Sequence, residues 1–143
     1  MTNLTLRARQ VFAQDLYATQ ATGVVIDAVE PRHARCSVQL TPLLRNAMGA
    51  VMGGVMFTLA DLAFAAAANS ECIEQDEPLA WVTTGSSIEY LSQPADHTLT
   101  AETQCIKQGR TTCLYLVHIT DGTGRAVAML TTRGVKLATS PTA

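Results

Sequence analysis

Apolar and polar positions alternate along this chain in two rhythms, broken by one long stretch that follows neither. Residues 22–30 and 34–40 change character every residue or two, as half-buried strands do, and Pro31-Arg32-His33 between them reads as the turn of a hairpin. Upstream, residues 6–19 set Leu6, Val11, Phe12, Leu16 and Tyr17 among charges, which predicts a short amphipathic helix over the edge of the fold. Residues 41–50 contain Pro42, Asn46 and Gly49 and keep no period, so they read as a loop. Then comes the exceptional stretch, predicted as one helix from about Gly53 to Cys72. It is headed by Gly53-Gly54, rich in alanine, and as far as Ala68 carries one ionisable side chain, Asp61.

An acidic turn over residues 73–78 leads to four more strand-like runs. The first, 79–91, has a polar middle of Thr83, Thr84, Gly85, Ser86 and Ser87. Runs 98–106 and 111–120 are joined by Lys107-Gln108-Gly109-Arg110, a glycine-bearing hairpin connection, and 126–137 follows the turn at 121–124. The order predicts an α+β domain over residues 1–143, with an antiparallel sheet wrapping one central helix whose alanines allow close approach. No repeat or linker divides it.

Composition narrows the class. With 48% hydrophobic and 15% charged residues in 143, the chain can bury a substantial core. A net charge of −2 and scattered Lys and Arg leave no footprint for nucleic acid or an anionic membrane. Arginines stand where a signal peptide needs its apolar core, so a cytoplasmic protein is expected. The central helix is too short and too interrupted to span a bilayer. Cys36, Cys72, Cys105 and Cys113 lack C-x-x-C spacing and read as reduced, small hydrophobes.

Asp61 is the candidate for chemistry. No Lys, Arg or His lies three or four positions away to neutralise it, so it either finds a partner elsewhere in the fold or is exposed and reactive by design. The glycines at the head of the helix let another atom approach N–H groups that have no intrahelical acceptor. Gly54 and Asp61, seven residues apart, share a helical face but stand roughly 10 Å apart along the axis. One reacting carbon cannot touch both, so a catalytic reading requires two copies of the chain and predicts a homodimer with shared sites. The chemistry that suits such a site is acyl transfer to water: helix N–H groups hold a carbonyl oxygen, and the carboxylate activates water or attacks directly. The alternative is that Asp61 accepts hydrogen bonds from interface hydroxyls and the glycines only permit packing.

Other candidates are weaker. His33 and His97 fall in turns, His118 alternates with Leu114 and Leu116 as a packed or interface residue, and no histidine pair has metal-ligand spacing. Gly49-x-x-x-Gly53-Gly54 lacks the Lys-Ser/Thr of a phosphate loop, and no Gly-x-Ser-x-Gly elbow exists. Trp81 and Phe64 read as core. The polar run Thr83, Thr84, Ser86 and Ser87 either pairs across a dimer dyad or lines a substrate tunnel, or else forms an exposed edge strand, and self-association is favoured under either reading.

The segment Asn46-x-Met-Gly-x-Val-Met-Gly-Gly-Val-Met-Phe-Thr-Leu-Ala-Asp61 closely resembles the core motif of hotdog-fold acyl-CoA thioesterases of the PaaI-like type. Ile88-Glu-Tyr-Leu-Ser-Gln-Pro94 and Lys107-Gln-Gly-Arg-Thr111 are similar to that family's post-helix strand and following hairpin. The resemblance implies a hotdog fold and hydrolysis of an acyl-CoA thioester with an aromatic or medium-chain acyl group. It implies Asp61 as nucleophile or general base, Gly53 as the main oxyanion N–H donor from the partner subunit, and Asn46 as a group orienting thioester or water. Thr83 would stand beside the attacking water. Gly54, Thr84, Lys107 and Arg110 would contact substrate, the last two through coenzyme A phosphates, although a solvated turn accounts for them equally. No cofactor or metal is implied, since coenzyme A enters only with the substrate. Homodimers, with possible pairing into tetramers, are expected. One position departs from the family: Met52 stands where histidine is usual, which leaves a non-hydrolytic acyl-CoA or acyl-carrier binding protein as the alternative. A dehydratase is disfavoured, because no histidine–acid pair accompanies the helix.

Overall fold

The computed structural model describes residues 1–138. Helix α1 (Asn3–Phe12) is followed by a π-turn at Tyr17–Ala21, and then by the hairpin of β1 (Val25–Glu30) and β2 (His33–Gln39). A 3-10 turn (Pro42–Leu44) leads to α2 (Gly53–Ala68) and the short α3 (Ser70–Glu74). Strands β3 (Trp81–Tyr90), β4 (Thr98–Gln108), β5 (Thr112–Asp121) and β6 (Ala126–Lys136) complete the chain. All six strands form one antiparallel sheet in the order β1-β2-β4-β5-β6-β3. The strand after the helix therefore does not pair with its successor in sequence. It crosses to the far edge and pairs with β6.

The sheet curves around α2, as the alanine content predicts. Ala60, Ala63, Ala66 and Ala67 are fully buried, so the helix backbone lies close to the strands. The contact is tightest at Gly134 on β6, where a Cβ would stand 3.0 Å from the Phe64 ring and 2.7 Å from the Val82 carbonyl. Phe64 in turn meets Tyr115 edge-to-face, with centroids 5.3 Å apart. Trp81 and Phe64 are core residues.

Helix α2 ends earlier than its apolar run suggests. Asn69 is buried and turns its amide out of the helix. Its Oδ1 accepts from the N–H groups of Ala80 (3.0 Å) and Trp81 (2.9 Å), while its Nδ2 donates to the carbonyls of Ala65 (3.0 Å) and Trp81 (3.2 Å). Alongside, Gln108 Nε2 donates to the Ala68 carbonyl at 3.0 Å, and the Tyr115 hydroxyl bonds to Gln108 Oε1. These bonds satisfy groups that a buried helix end would otherwise leave orphaned.

The N-terminal helix is shorter than predicted and buries a different face. It stops at Phe12, and Leu6, Val11, Leu16 and Tyr17 are exposed. The buried residues are Thr5, Ala8 and Phe12. Small side chains at Thr5 and Ala8 let the helix sit flat on β1, where Thr5 Oγ1 accepts from the Val29 N–H at 3.0 Å. His118 is not packed in the core of this chain. It lies on the sheet face opposite α2, exposed in this chain, within hydrogen-bond reach of Gln104 Oε1 at 3.1 Å. All four cysteines are free thiols, and no helix among the described residues is long and apolar enough to cross a membrane.

Candidate active site

The loop before α2 is built to aim the helix. Asn46 Oδ1 accepts from the N–H groups of Met48 (3.0 Å) and Ala50 (3.1 Å), and the Asn46 N–H donates to the Ala50 carbonyl (2.8 Å). Gly49 completes this tight turn at φ +78°, which glycine adopts without steric cost. The Met52 N–H then bonds to the Leu44 carbonyl at 2.9 Å. Met52 is the N-cap residue, but its side chain makes no capping bond, a thioether being a poor acceptor for an amide. Among the described residues, the N–H groups of Gly53 and Gly54 have no hydrogen-bond acceptor.

The two glycines differ. A Cβ on Gly54 would meet nothing within 4 Å, so Gly54 leaves the helix head open from outside the chain. A Cβ on Gly53 would stand 2.7 Å from the Tyr90 hydroxyl. Gly53 and Tyr90 line a cleft of about 430 Å³ together with Val51, Met56, Leu91 and neighbouring residues.

Asp61 occupies a different cleft. This one measures about 350 Å³ and lies between α2 (Phe57, Thr58, Asp61, Leu62, Ala65) and the turn Asp15–Ala18. The residue is open to solvent, yet the protein around its carboxyl group raises its pKa above 3.8, chiefly by desolvation. Hydrogen bonding from Thr83 pulls the value down, and the negative charge of Asp15 pushes it up. No cation among the described residues forms an ion pair with Asp61. One chain thus presents the carboxylate and the helix amides in separate clefts.

Strand β3 brings Thr83 to Asp61 because of its register. Thr83 pairs with Gly134, the position against which Phe64 of α2 packs, so this pair faces the helix. A bulge between Thr83 and Gly85 inserts Thr84, whose hydroxyl donates to the Arg133 carbonyl at 3.3 Å. Thr84 borders a groove with Lys107 and Arg133, away from the Asp61 cleft. Arg110 stands exposed in the β4–β5 hairpin and lines none of these clefts. Of the residues picked out from the sequence, Asp61 and Thr83 come together, while Asn46, Met52, Gly53 and Gly54 build the helix head. Thr84 and Lys107 share a third place. Sequence reading missed Asp15, Tyr17 and Tyr90: Tyr90 sits inside a recognised motif, whereas nothing around Asp15 marks it as a neighbour of Asp61.

Comparison with known proteins identifies the family. Residues 48–128 match the thioesterase superfamily. The acyl-coenzyme A thioesterase PaaI of Escherichia coli (strain K12) is 32% identical over 123 residues, covering 85% of this chain and 83% of that protein. The structure of E. coli PaaI, from the phenylacetic acid degradation operon, superposes with a TM-score of 0.78 at 28% identity, over 95% of this chain and 97% of the other. A hypothetical thioesterase from Streptococcus pneumoniae TIGR4, solved with coenzyme A, gives 0.75 at 27% identity, over 91% and 99%. With the glycine-headed helix and the six-stranded sheet in place, the chain belongs to the thioesterase superfamily as a PaaI-like hotdog protein and a thioester hydrolase.

Proposed function

We propose that this protein hydrolyses acyl-CoA thioesters carrying an aromatic or medium-chain acyl group, in sites shared between two copies of the chain. The observation that carries the proposal is the pair of acceptor-free amides, Gly53 and Gly54, at the head of a helix whose only acid stands two turns away in another cleft. The amides take the thioester carbonyl oxygen and stabilise the charge that develops on it. Asp61 of the second copy takes a proton from water, which attacks the carbonyl carbon. The tetrahedral intermediate then expels the coenzyme A sulfur as the C–S bond breaks, and the thiolate recovers a proton. Direct attack by Asp61 would instead give a mixed anhydride for water to cleave. Thr83 steadies the ionised carboxylate in either route. Asn46 acts mainly by shaping the loop, since its carbonyl oxygen is already committed to two backbone amides. The free cysteines accord with a cytoplasmic location.

The test is release of free thiol from a panel of aromatic and aliphatic acyl-CoAs, with Asp61→Ala and Asp61→Asn alongside. Turnover that these substitutions abolish supports the assignment. Tight binding without turnover, or variants equal to wild type, overturns it. Sharing between copies is tested by mixing Asp61→Ala with Gly54→Leu, whose side chain has room within its own chain but fills the open approach to the helix amides. Two inactive variants should regain activity as hybrids, and hybrids that stay inactive would overturn the shared site.

A further inference from the structure

The turn after α1 forms one wall of the Asp61 cleft, although no part of the superfamily match, which begins at residue 48, includes it. Its backbone is held firmly. The Asp15 carbonyl accepts both the N–H and the hydroxyl of Thr19 at 2.9 Å, the Tyr17 carbonyl accepts from the Thr22 N–H at 2.9 Å, and the Ala18 carbonyl accepts from the Val24 N–H at 2.9 Å. Ala18 is buried as the anchor, while Leu16 and Tyr17 remain 57% and 70% exposed. Two large apolar side chains on a fixed turn at the mouth of a cleft are unusual unless something covers them. Opposite them stand Phe57, Leu62 and Ala65 of α2. The only charged residues lining this cleft are Asp61 and Asp15.

We infer that the turn Asp15–Ala18 selects the acyl group of the substrate: Leu16 and Tyr17 contact an apolar acyl chain or ring, and Asp15 turns away acyl groups that end in a carboxylate. The inference rests on the thioesterase reading and extends it to substrate class. The lining supports it. With two carboxylates and no Lys, Arg or His, the cleft repels the phosphates of coenzyme A, so the end of the substrate that enters beside Asp61 is the acyl end. Charge supports it as well. A terminal carboxylate here would meet Asp15 with no Lys, Arg or His in the lining to compensate. Asp15 is suited to this role because its side chain makes no hydrogen bond or ion pair among the described residues, which leaves its charge uncompensated.

The experiment compares hexanoyl-CoA with glutaryl-CoA, an acyl group of similar reach that ends in a carboxylate. The ratio of kcat/KM is measured for wild type, Asp15→Asn and Asp15→Lys, and equilibrium binding of the same pair is measured in the Asp61→Asn background. The wild type should prefer hexanoyl-CoA. Asp15→Asn should shift the ratio toward glutaryl-CoA on the order of tenfold and Asp15→Lys further; the ratio is the readout because any effect of Asp15 on Asp61 acts on both substrates and cancels. Leu16→Ala and Tyr17→Ala should weaken hexanoyl-CoA in proportion more than acetyl-CoA. Ratios that stay fixed in both kinetics and binding overturn the inference even where hydrolysis is robust. If hydrolysis is absent but the binding ratio still follows Asp15, the turn reads the acyl group and the catalytic reading alone fails.

Discussion

The Tyr90 hydroxyl lies over Gly53 so closely that a Cβ there would stand 2.7 Å away, whereas the same atom on the adjoining Gly54 would touch nothing. Two neighbouring glycines therefore answer to different demands, one from this chain and one from whatever approaches the helix head.

Gly54→Ala should separate stability from activity. The position is helical, its φ is not positive, and alanine fits, so the folded protein should gain about 0.5–1 kcal/mol through higher helix propensity and a less flexible unfolded chain. The added methyl group should nonetheless obstruct the carbonyl-binding amides and lower kcat/KM. Urea titration and thiol release on the same preparation check both halves.

Asp61 should behave in the same sense for a different reason. Its folded pKa is raised, chiefly by desolvation, so its ionised form is less favourable in the fold than in the unfolded chain and costs stability at neutral pH. Asp61→Asn should therefore raise the melting temperature while lowering kcat by at least about 100-fold. In the wild type, kcat/KM should fall on acidification with an apparent pKa above the usual carboxylate value of 3.8, because the ionised carboxylate is the active form. Removing the Asp15 charge with Asp15→Asn should move that limb to lower pH. Thr83→Val, which removes a hydrogen bond to the ionised form, should move it higher.

Asp121 provides a separate pH effect, remote from the chemistry. Thr123 donates to it through its hydroxyl (2.6 Å) and amide (2.9 Å), with the amides of Ala95 (2.7 Å) and Arg125 (3.0 Å) adding to the set. These donors lower its pKa to about 2. Its contribution to stability is thus complete above 3.8 and disappears as pH falls toward 2. Urea midpoints measured between these values should fall with acid in wild type and more shallowly in Asp121→Asn.

The amide of Asn69 makes four hydrogen bonds in a buried setting. Asn69→Ala should cost about 2–4 kcal/mol in chemical denaturation, since it strands the Ala80 and Trp81 amides. Asn69→Asp should do comparable harm, because a carboxylate can keep the acceptor bonds but has no N–H for the Ala65 and Trp81 carbonyls.

Much of this architecture was legible in the sequence, for reasons specific to each part. Alternation marked the hairpin of β1 and β2, and alanine density marked α2 as a helix pressed against a sheet. The isolation of Asp61 among apolar residues, with glycines two turns before it, marked the candidate site. What the pattern could not give was spatial order. Nothing in residues 81–90 says that they pair with 126–136 instead of 98–108. The bulge that parts Thr83 from Thr84 likewise has no signature beyond Gly85. At the N-terminus the largest apolar residues misled, since the packed face uses Thr5 and Ala8, whose small size is the reason the helix can lie close to β1. Asn69 was read as helix because its neighbours are, whereas its side chain serves the strand that follows.

The crossing of β3 to the sheet edge has a consequence in time. Thr83 can pair with Gly134 only after nearly the whole chain has been synthesised, and loop closure over some fifty residues is entropically slow compared with forming the β4–β5 hairpin. The hydroxyl that steadies Asp61 is thus expected to take its place late in folding. A chain released before β6 emerges would expose an unpaired, polar β3 and a carboxylate without its donor. Hydrolytic activity in a refolding experiment should therefore appear later than the burial of Phe64 against Tyr115.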